Sequence, residues 1–521
     1  MARTSAFARH APLLACLVLA VWMFYWQPPR AVSAMLVVLA YLGVCLHVYW
    51  RHRRNLQIVA PPQPDALLIV YASQGGTARA LAERSAEQLH EAGVEVGVAR
   101  LGSLEPAALA SRSRLLFIVS TYGEGEAPDS AAHFDRLLSR FKGDLSGLEF
   151  ALLALGDRQY SHFCGFGRRL DARLQKLGAR PLFDRLDVDR ADAGALRHWQ
   201  QQLAHLSGNS QFVDWQPAIY QPWRLHRREL LNEGSLGSPV FRVTLRPAGD
   251  IPRWQAGDIA EIGPRHAPAM VEQLLVQAGF DPAQAVAPEQ SLAAALSDKR
   301  LPADPQALRG MNLDALLALP PLPHREYTIA SVPSEDCIEL LVRQAHYPDG
   351  RLGLGSGWLC RHAAPGYEID LRVRTNPGFH GPQPQVPLIL IGNGTGLAGL
   401  CAHLRERAET GGSRNWLLYG ERSVTHDWLL QDELQTWLDS GHLQRLDLAF
   451  SRDQAERVYV QHRLRDAADE LRRWVSDGAA IYVCGSLEGM GRDVQQVLAG
   501  LLGEAQLQKM GEQGRYRRDL Y

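Results

Sequence analysis

Ala66-Leu67-Leu68-Ile69-Val70-Tyr71-Ala72-Ser73-Gln74-Gly75-Gly76-Thr77 runs from an uninterrupted apolar strand pattern into a glycine turn, and Thr77 opens a helical pattern that lasts to Glu91. A buried strand, a tight turn and a helix make the first half of a strand–helix–strand unit. The rhythm then repeats. VEVGVARL (94–101), RLLFIVST (114–121) and EFALLALGD (149–157) read as further strands with helical patterns between them. Such alternation specifies a doubly wound parallel sheet, here over residues 65–206, with helices on both faces.

Ligands of an open parallel sheet sit beyond the carboxyl ends of its strands. Three loops leave such ends. Ser73 to Ala78 offers glycine amides, hydroxyls and a helix start, a set suited to a phosphate. No Lys follows Gly75-Gly76, which excludes a triphosphate loop of the Walker type. Ser120-Thr121-Tyr122-Gly123-Glu124-Gly125 supplies Tyr122, and Leu155 to Cys164 supplies Tyr160. Two tyrosines around a flat, electron-rich ring make a stacking slot. Each loop alone is an ordinary bend and each Tyr alone an ordinary core residue; three at successive strand ends argue for a bound ring with a phosphate.

The second half changes pattern. PVFRVTLRP (239–247), DIAEIG (258–263) and IELLVRQ (338–344) read as antiparallel strands of a barrel, with an Ala/Leu-rich helical insertion at 267–319. In Arg325-Glu326-Tyr327-Thr328, strand alternation puts the guanidinium and the phenol on one face and Thr328 on the other. Gly353-Leu354-Gly355-Ser356-Gly357 adds amides and a hydroxyl. From Pro387 the α/β rhythm returns, and Leu388-Ile389-Leu390-Ile391 leads into Gly392-Asn393-Gly394-Thr395-Gly396, the strand-then-glycine context of a dinucleotide loop. Ser451, Arg452, Arg457, Tyr459 and Gln461 gather hydroxyls and guanidinium forks suited to an adenosine 2′-phosphate. Taken singly, those arginines read as a solvated face.

Length and composition fit this division. At 521 residues the chain exceeds one core, and 46% hydrophobic with 21% charged residues is ordinary for globular domains. A net charge of -1 gives no support for nucleic-acid binding. The 7 cysteines (16, 45, 164, 337, 360, 401, 484) form no C-x-x-C pair, which argues against a metal site, a cluster or a disulfide framework. The amino end differs. Residues 11–26 and 31–50 are apolar and uncharged around a Gln27-Pro28-Pro29-Arg30 break. They read as two transmembrane helices of a 1–56 hairpin anchor. Arg3, Arg9, Arg51, Arg53 and Arg54 outside the hairpin, against Arg30 within it, put both ends in the cytoplasm.

These motifs in this order resemble the diflavin reductases, the family of NADPH–haemoprotein reductase and the sulfite reductase flavoprotein subunit. The resemblance implies a flavodoxin-like FMN domain (65–206), an antiparallel FAD-binding barrel with a connecting insertion (212–383) and an NADP-binding α/β domain (384–521). FMN would lie on Ser73, Gln74, Gly76, Thr77, Ala78, Tyr122, Gly123, Tyr160 and Phe163. FAD would be held by Arg325, Tyr327, Thr328, Ser331, Gly355, Ser356 and Gly357, and NADPH by Gly394, Thr395, Ser451, Arg452, Arg457, Tyr459 and Gln461. Thr328, Cys484 and Asp519 would align hydride transfer beneath the terminal Tyr521. Gly75, Cys164, Asn393, Gly399 and Ser486 depart from residues common in that family.

The activity so implied is NADPH-dependent electron transfer through FAD and FMN to a haem protein, a ferric-chelate reducing system or another one-electron acceptor, at a bacterial inner membrane with the catalytic domains cytoplasmic. The alternatives are a sulfite reductase flavoprotein component, a tethered flavin-binding scaffold or sensor without turnover, and a reductase whose first domain has lost its flavin. His10 and His47 would lie at similar depth in the hairpin, a pairing that suits haem ligation as well as an interfacial role.

Overall fold

The computed structural model describes residues 66–521 except 74–75, 124, 209–211, 213, 216–218, 250–251 and 303. The hairpin of residues 11–26 and 31–50 lies outside the described residues, as do Gln74 and Gly75. Among the described residues no helix is long and apolar enough to cross a membrane. The chain packs as two compact units. One holds the residues up to His90 with Val94–Phe150 and Tyr160–Arg180; the other holds Glu91–Gly93, Ala151–Gln159 and Pro181–Tyr521.

In the first unit β1 (Leu67–Ala72) lies between β2 (Val96–Arg100) and β3 (Arg114–Ser120), parallel to both, with Ile69 opposite Val98 and Leu116. Five of the six β1 residues are buried, the near-continuous burial of a strand covered on both faces. Helix α1 (Thr77–Glu91) buries Ala78, Leu81, Ala82, Ser85 and Leu89, one stripe at helical spacing. The chain goes from β1 out to β2 and returns past β1 to β3. That reversal opens a crevice at the carboxyl ends of β1 and β3. Helices α2 (Asp129–Arg140) and α3 (Gly165–Lys176) complete this unit. β4 (Glu149–Gly156) pairs in parallel with β5 (Leu186–Asp189).

Helix α4 (Ala193–Leu206) starts where the Asp192 carboxylate accepts the Ala195 N–H. By sequence α4 closes the first α/β pattern; by contact it belongs to the second unit. The antiparallel sheet that follows has the order β9 (Arg325–Thr328), β8 (Ile259–Gly263), β11 (Glu368–Arg374), β6 (Gln221–Leu230), β7 (Val240–Pro247), β10 (Ile338–Arg343). A bridge between Ile329 and Leu340 joins its two ends, so the sheet closes as a barrel around Trp223, Val243, Ile262 and Trp358. The insertion at 267–319 is less helical than its composition suggests. Helix α5 (Pro268–Ala278) ends at Gly279, and Ala285–Ala287 pairs with Gln290–Ser291 in a small hairpin. Pro282 and Pro288 interrupt the helical run there.

The last sheet is parallel, in the order β14 (Leu443–Phe450), β13 (Asn415–Glu421), β12 (Leu388–Asn393), β15 (Ala480–Gly485), β16 (Tyr516–Leu520). Its direction of winding reverses between β12 and β15. Helix α6 (Leu397–Thr410) starts at that reversal, directly after the glycine loop.

Candidate functional site

The first site is built on turns. Ser73 ends β1, and its hydroxyl accepts the Gly76 N–H at 2.9 Å, shaping the entry to α1. Thr77 is exposed at the helix start while Ala78 is fully buried. Ser130 Oγ donates to the Ser73 carbonyl at 3.3 Å, tying this turn to α2. After β3, Tyr122 and Glu126 exchange backbone hydrogen bonds of 2.9 and 2.8 Å around Gly123. Arg169 of α3 donates to the Gly125 carbonyl at 2.7 Å, which joins this loop to the one carrying Tyr160 and Phe163. Tyr122 and Tyr160 are 53% and 50% exposed, unusual for large rings and suited to stacking on a ligand. The Thr121 hydroxyl, adjacent to Tyr122, is buried and has no partner among the described residues. Orphaned polar atoms of that kind call for an unseen ligand or water. These features fit a phosphorylated flat ring. Cys164 begins α3 with φ 54, a left-handed conformation that a Cys adopts only under constraint.

The second site is a cavity of about 1000 Å³ between the barrel and the last sheet. Arg325, Tyr327 and Thr328 from β9 line it with Gly355 and Ser356, facing Gly394, Thr395, Ser451, Arg452, Tyr459, Gln461, Asp519 and Tyr521. A Cβ on Gly355 would stand 2.6 Å from Arg325 Cγ and 2.6 Å from Tyr327 Oη, so only glycine lets those side chains pass. Arg325 Nη1 donates to the carbonyls of Pro323 and His324 at 3.0 and 2.8 Å.

Four expected residues do not line the cavity: Ser331, Gly357, Arg457 and the fully buried Cys484. Ser331 is fully buried; its hydroxyl donates to the Cys337 carbonyl at 2.8 Å and accepts the Glu339 N–H at 2.9 Å, fixing a turn. That removes Ser331 as a ligand group. Gly357 sits inside the turn, its N–H bonded to the Gly353 carbonyl at 2.6 Å. Arg457 is exposed on the loop after β14, as is Arg452, and among the described residues neither forms an ion pair.

The reacting end of the cavity depends on register. Cys484 on β15 and Asp519 on β16 are direct partners in the parallel ladder. Thr328 Oγ1 donates to Asp519 Oδ2 at 2.9 Å, and the Cys484 thiol donates to the same oxygen at 3.7 Å. Burial raises the pKa of Asp519, against the hydrogen bond from Thr328 and the charge of Arg374. Burial, then the neighbouring Asp519 charge, pushes the Cys484 thiol well up, so sulfur stays protonated and donates. Tyr521, 53% exposed, places its hydroxyl 3.4 Å from Thr395 Oγ1.

In the nucleotide loop, Asn393 Oδ1 accepts the Ser486 N–H at 3.0 Å, so two departures from the family pattern form one contact. Gln461 Nε2 donates to Asp493 at 2.8 Å, while among the described residues its buried Oε1 has no partner. The cavity, the orphaned amide oxygen and the exposed arginines fit a flavin dinucleotide facing a phosphorylated nicotinamide dinucleotide.

Sequence reasoning missed one wall. His198, Gln201, Gln202 and His205 of α4 also line the cavity. Their i, i+3, i+4, i+7 spacing is the available signal, a polar stripe on one helix face. His198 Nδ1 lies 2.6 Å from Glu326 Oε2, and Arg197 reaches the fully buried Glu261 at 3.0 Å. Arg372 and Arg374 also pair with Glu261, and Arg374 with Glu326 at 3.0 Å. Burial pushes His324 down, but its hydrogen bond to Asp214 at 3.0 Å and the adjacent Glu326 and Glu261 carboxylates outweigh it and raise its pKa to about 9. Glu261, His324 and Glu326 cluster closely enough to suggest a metal site. A protonated imidazole and the arginines around Glu261 make that cluster a poor cation ligand.

Residues 69–199 match the flavodoxin family model, and 390–496 match the oxidoreductase NAD-binding domain model. The chain is 30% identical to the sulfite reductase [NADPH] flavoprotein alpha-component of Bacillus subtilis over 89% of its length and 90% of that protein. It is 31% identical to the protein of the same name from Shewanella sp. (strain ANA-3), covering 90% and 92%. The Vibrio cholerae protein of that name is 31% identical with 87% of each covered. The chain belongs to the diflavin reductase family. This diflavin reductase is an NADPH-dependent oxidoreductase that carries FMN and FAD, with electrons passing from NADPH to FAD to FMN.

Proposed function

We propose that this diflavin reductase is anchored to the bacterial inner membrane by its amino-terminal hairpin, with its catalytic domains in the cytoplasm, and delivers single electrons there to a haem protein or ferric-chelate reducing system. The apolar, uncharged runs at 11–26 and 31–50, flanked by arginines, support the anchor. Ser73, Gly76, Thr77 and Ala78 hold the FMN phosphate, and Tyr122 and Tyr160 flank its ring beside Gly123 and Phe163. Arg325, Tyr327, Gly355 and Ser356 hold FAD; Thr395, Ser451, Arg452, Tyr459 and Gln461 hold NADPH.

The observation that carries the site assignment is the meeting of Thr328 and Cys484 on one oxygen of Asp519 at the cavity end beneath Tyr521. Bound flavins supply the redox chemistry, taking two electrons from the nicotinamide and releasing them one at a time. The protein's part is placement. The Thr328 hydroxyl and Asp519 hold a proton at Oγ1 beside the reacting edge of the flavin ring. Asp519 also meets positive charge as it develops on the nicotinamide. Tyr521 is the aromatic side chain that would shield the flavin ring when FAD is bound, and nicotinamide would have to displace it.

A second reading has a specific support: the relatives are named as sulfite reductase components, so a sulfite-reducing haem protein is a candidate acceptor. Cofactor release with FMN and FAD quantitation, followed by acceptor assays, separates the readings. Near-equal FMN and FAD with NADPH-driven reduction of cytochrome c is the expected result. FAD alone would point to a single-flavin reductase, and bound flavin without turnover to a scaffold. Activity fractionating with membranes supports the anchor; full solubility of the complete chain sinks it. Stimulation only by a sulfite reductase haem subunit selects the second reading.

A further inference from the structure

Gly399 lies in the first turn of α6, next to the cavity-lining Ala398, and faces inward. A Cβ built on it would stand 2.9 Å from the Thr328 methyl, 3.3 Å from Cys484 Sγ and 3.3 Å from Phe379 Cε1. Heavy atoms at 2.9 Å repel, so a side chain at 399 would have to displace its neighbours. Phe379 is fully buried and packs on the rings of His403 and Tyr482 at 5.1 and 5.4 Å, both also fully buried. The Thr328 methyl thus occupies the space that any larger residue at 399 would need. A threonine is stiff about χ1, so holding its methyl fixes its hydroxyl. Here that hydroxyl is the one on Asp519. The same inward face meets Cys484, whose thiol also donates to Asp519 Oδ2.

We propose that Gly399 is a positioning residue for hydride transfer: its missing side chain leaves room for the Thr328 methyl beside the Cys484 sulfur, so that both donors converge on Asp519 Oδ2. This rests on the assignment of Thr328, Cys484 and Asp519 to the reacting site. The pairing is one of shape, Thr at 328 requiring Gly at 399, and each residue is the other's constraint. Displacement of a reacting group by a fraction of an ångström to 1 Å is costly, up to about a hundredfold in rate.

The test is a double-mutant cycle in the full-length holoenzyme, reading flavin content, thermal unfolding and the single-turnover rate of flavin reduction by NADPH and by 4-deuterated NADPH. Gly399→Ala is expected to retain FAD and to slow reduction about ten- to a hundredfold with a larger deuterium isotope effect. In a Thr328→Ser background, which lacks the methyl, the same alanine should cost less than about threefold, a coupling that independent sites do not show. Equal cost in both backgrounds, or no cost in the native one, overturns the proposal. If Gly399→Ala loses FAD or unfolds, recovery of the fold by Thr328→Ser supports the contact and failure to recover it overturns it. Unchanged flavin reduction in Asp519→Asn would instead remove the site assignment while leaving the unfolding cycle intact.

Discussion

The two cofactor regions differ in how they are made. The first is a set of turns at the ends of adjacent strands, open enough that Tyr122 and Tyr160 are half exposed. The second is a large cleft whose reacting end joins Thr328 and Asp519, with the buried Cys484 behind them, residues far apart in the chain that meet only because β9, β15 and β16 come together. Behind it stands a buried ion network with no counterpart among the described residues of the first site. A turn-built site depends on local backbone geometry and tolerates solvent. A convergent site depends on register and buried charge, so its failures should be larger and more cooperative.

The largest effect expected is from Glu261→Ala. It leaves Arg197, Arg372 and Arg374 without their shared buried carboxylate and should cost about 3–5 kcal/mol in unfolding free energy. A loss under about 1 kcal/mol in denaturant melts would make the network ornamental and blur the contrast. Next, Asp519→Asn should slow single-turnover flavin reduction about a hundredfold, roughly 2.7 kcal/mol, while flavin content holds. The matching change in the first region, Tyr122→Ala, should weaken FMN binding by only about 0.5–1.5 kcal/mol, measured by fluorescence titration.

Between these lies a pH effect confined to the second region. The His324 pKa stands at about 9 against an ordinary 6.5. Its stabilisation is therefore complete below pH 6.5 and drains as pH rises through about 9, with a loss on the order of 3 kcal/mol. His324→Gln should flatten the fall in unfolding temperature between pH 7 and 10. An unchanged slope would show that other groups carry it. Smallest is Cys164→Gly, which relieves a left-handed φ of 54 but loosens the unfolded chain. A net change within about 1 kcal/mol is expected, sharpening the view of the first site as forgiving.

Much of this contrast was legible beforehand, unevenly. The strand-to-turn junctions at Ser73, Tyr122 and Tyr160 could be read because the glycines and hydroxyls that shape a turn are neighbours in sequence. Arg325 and Tyr327 sharing a face followed from strand alternation. By contrast, Ser331 looked like one more hydroxyl beside a cofactor strand, and only its bonds to Cys337 and Glu339 show that it locks a turn. The α4 wall was hidden by the opposite error: its polar stripe was visible, but a polar helix face ordinarily meets water.

The amino-acid sequence by itself determined the alternation of strands and helices, the order of the sites and the polarity of each loop, since these depend on periodicity and on residues a few positions apart. The tertiary structure alone decided that Cys484 and Asp519 are ladder partners, that α4 closes the cavity, and that Gly399 leaves room for the Thr328 methyl. Those are matters of register and excluded volume between distant segments, and neither quantity is set until the segments pack.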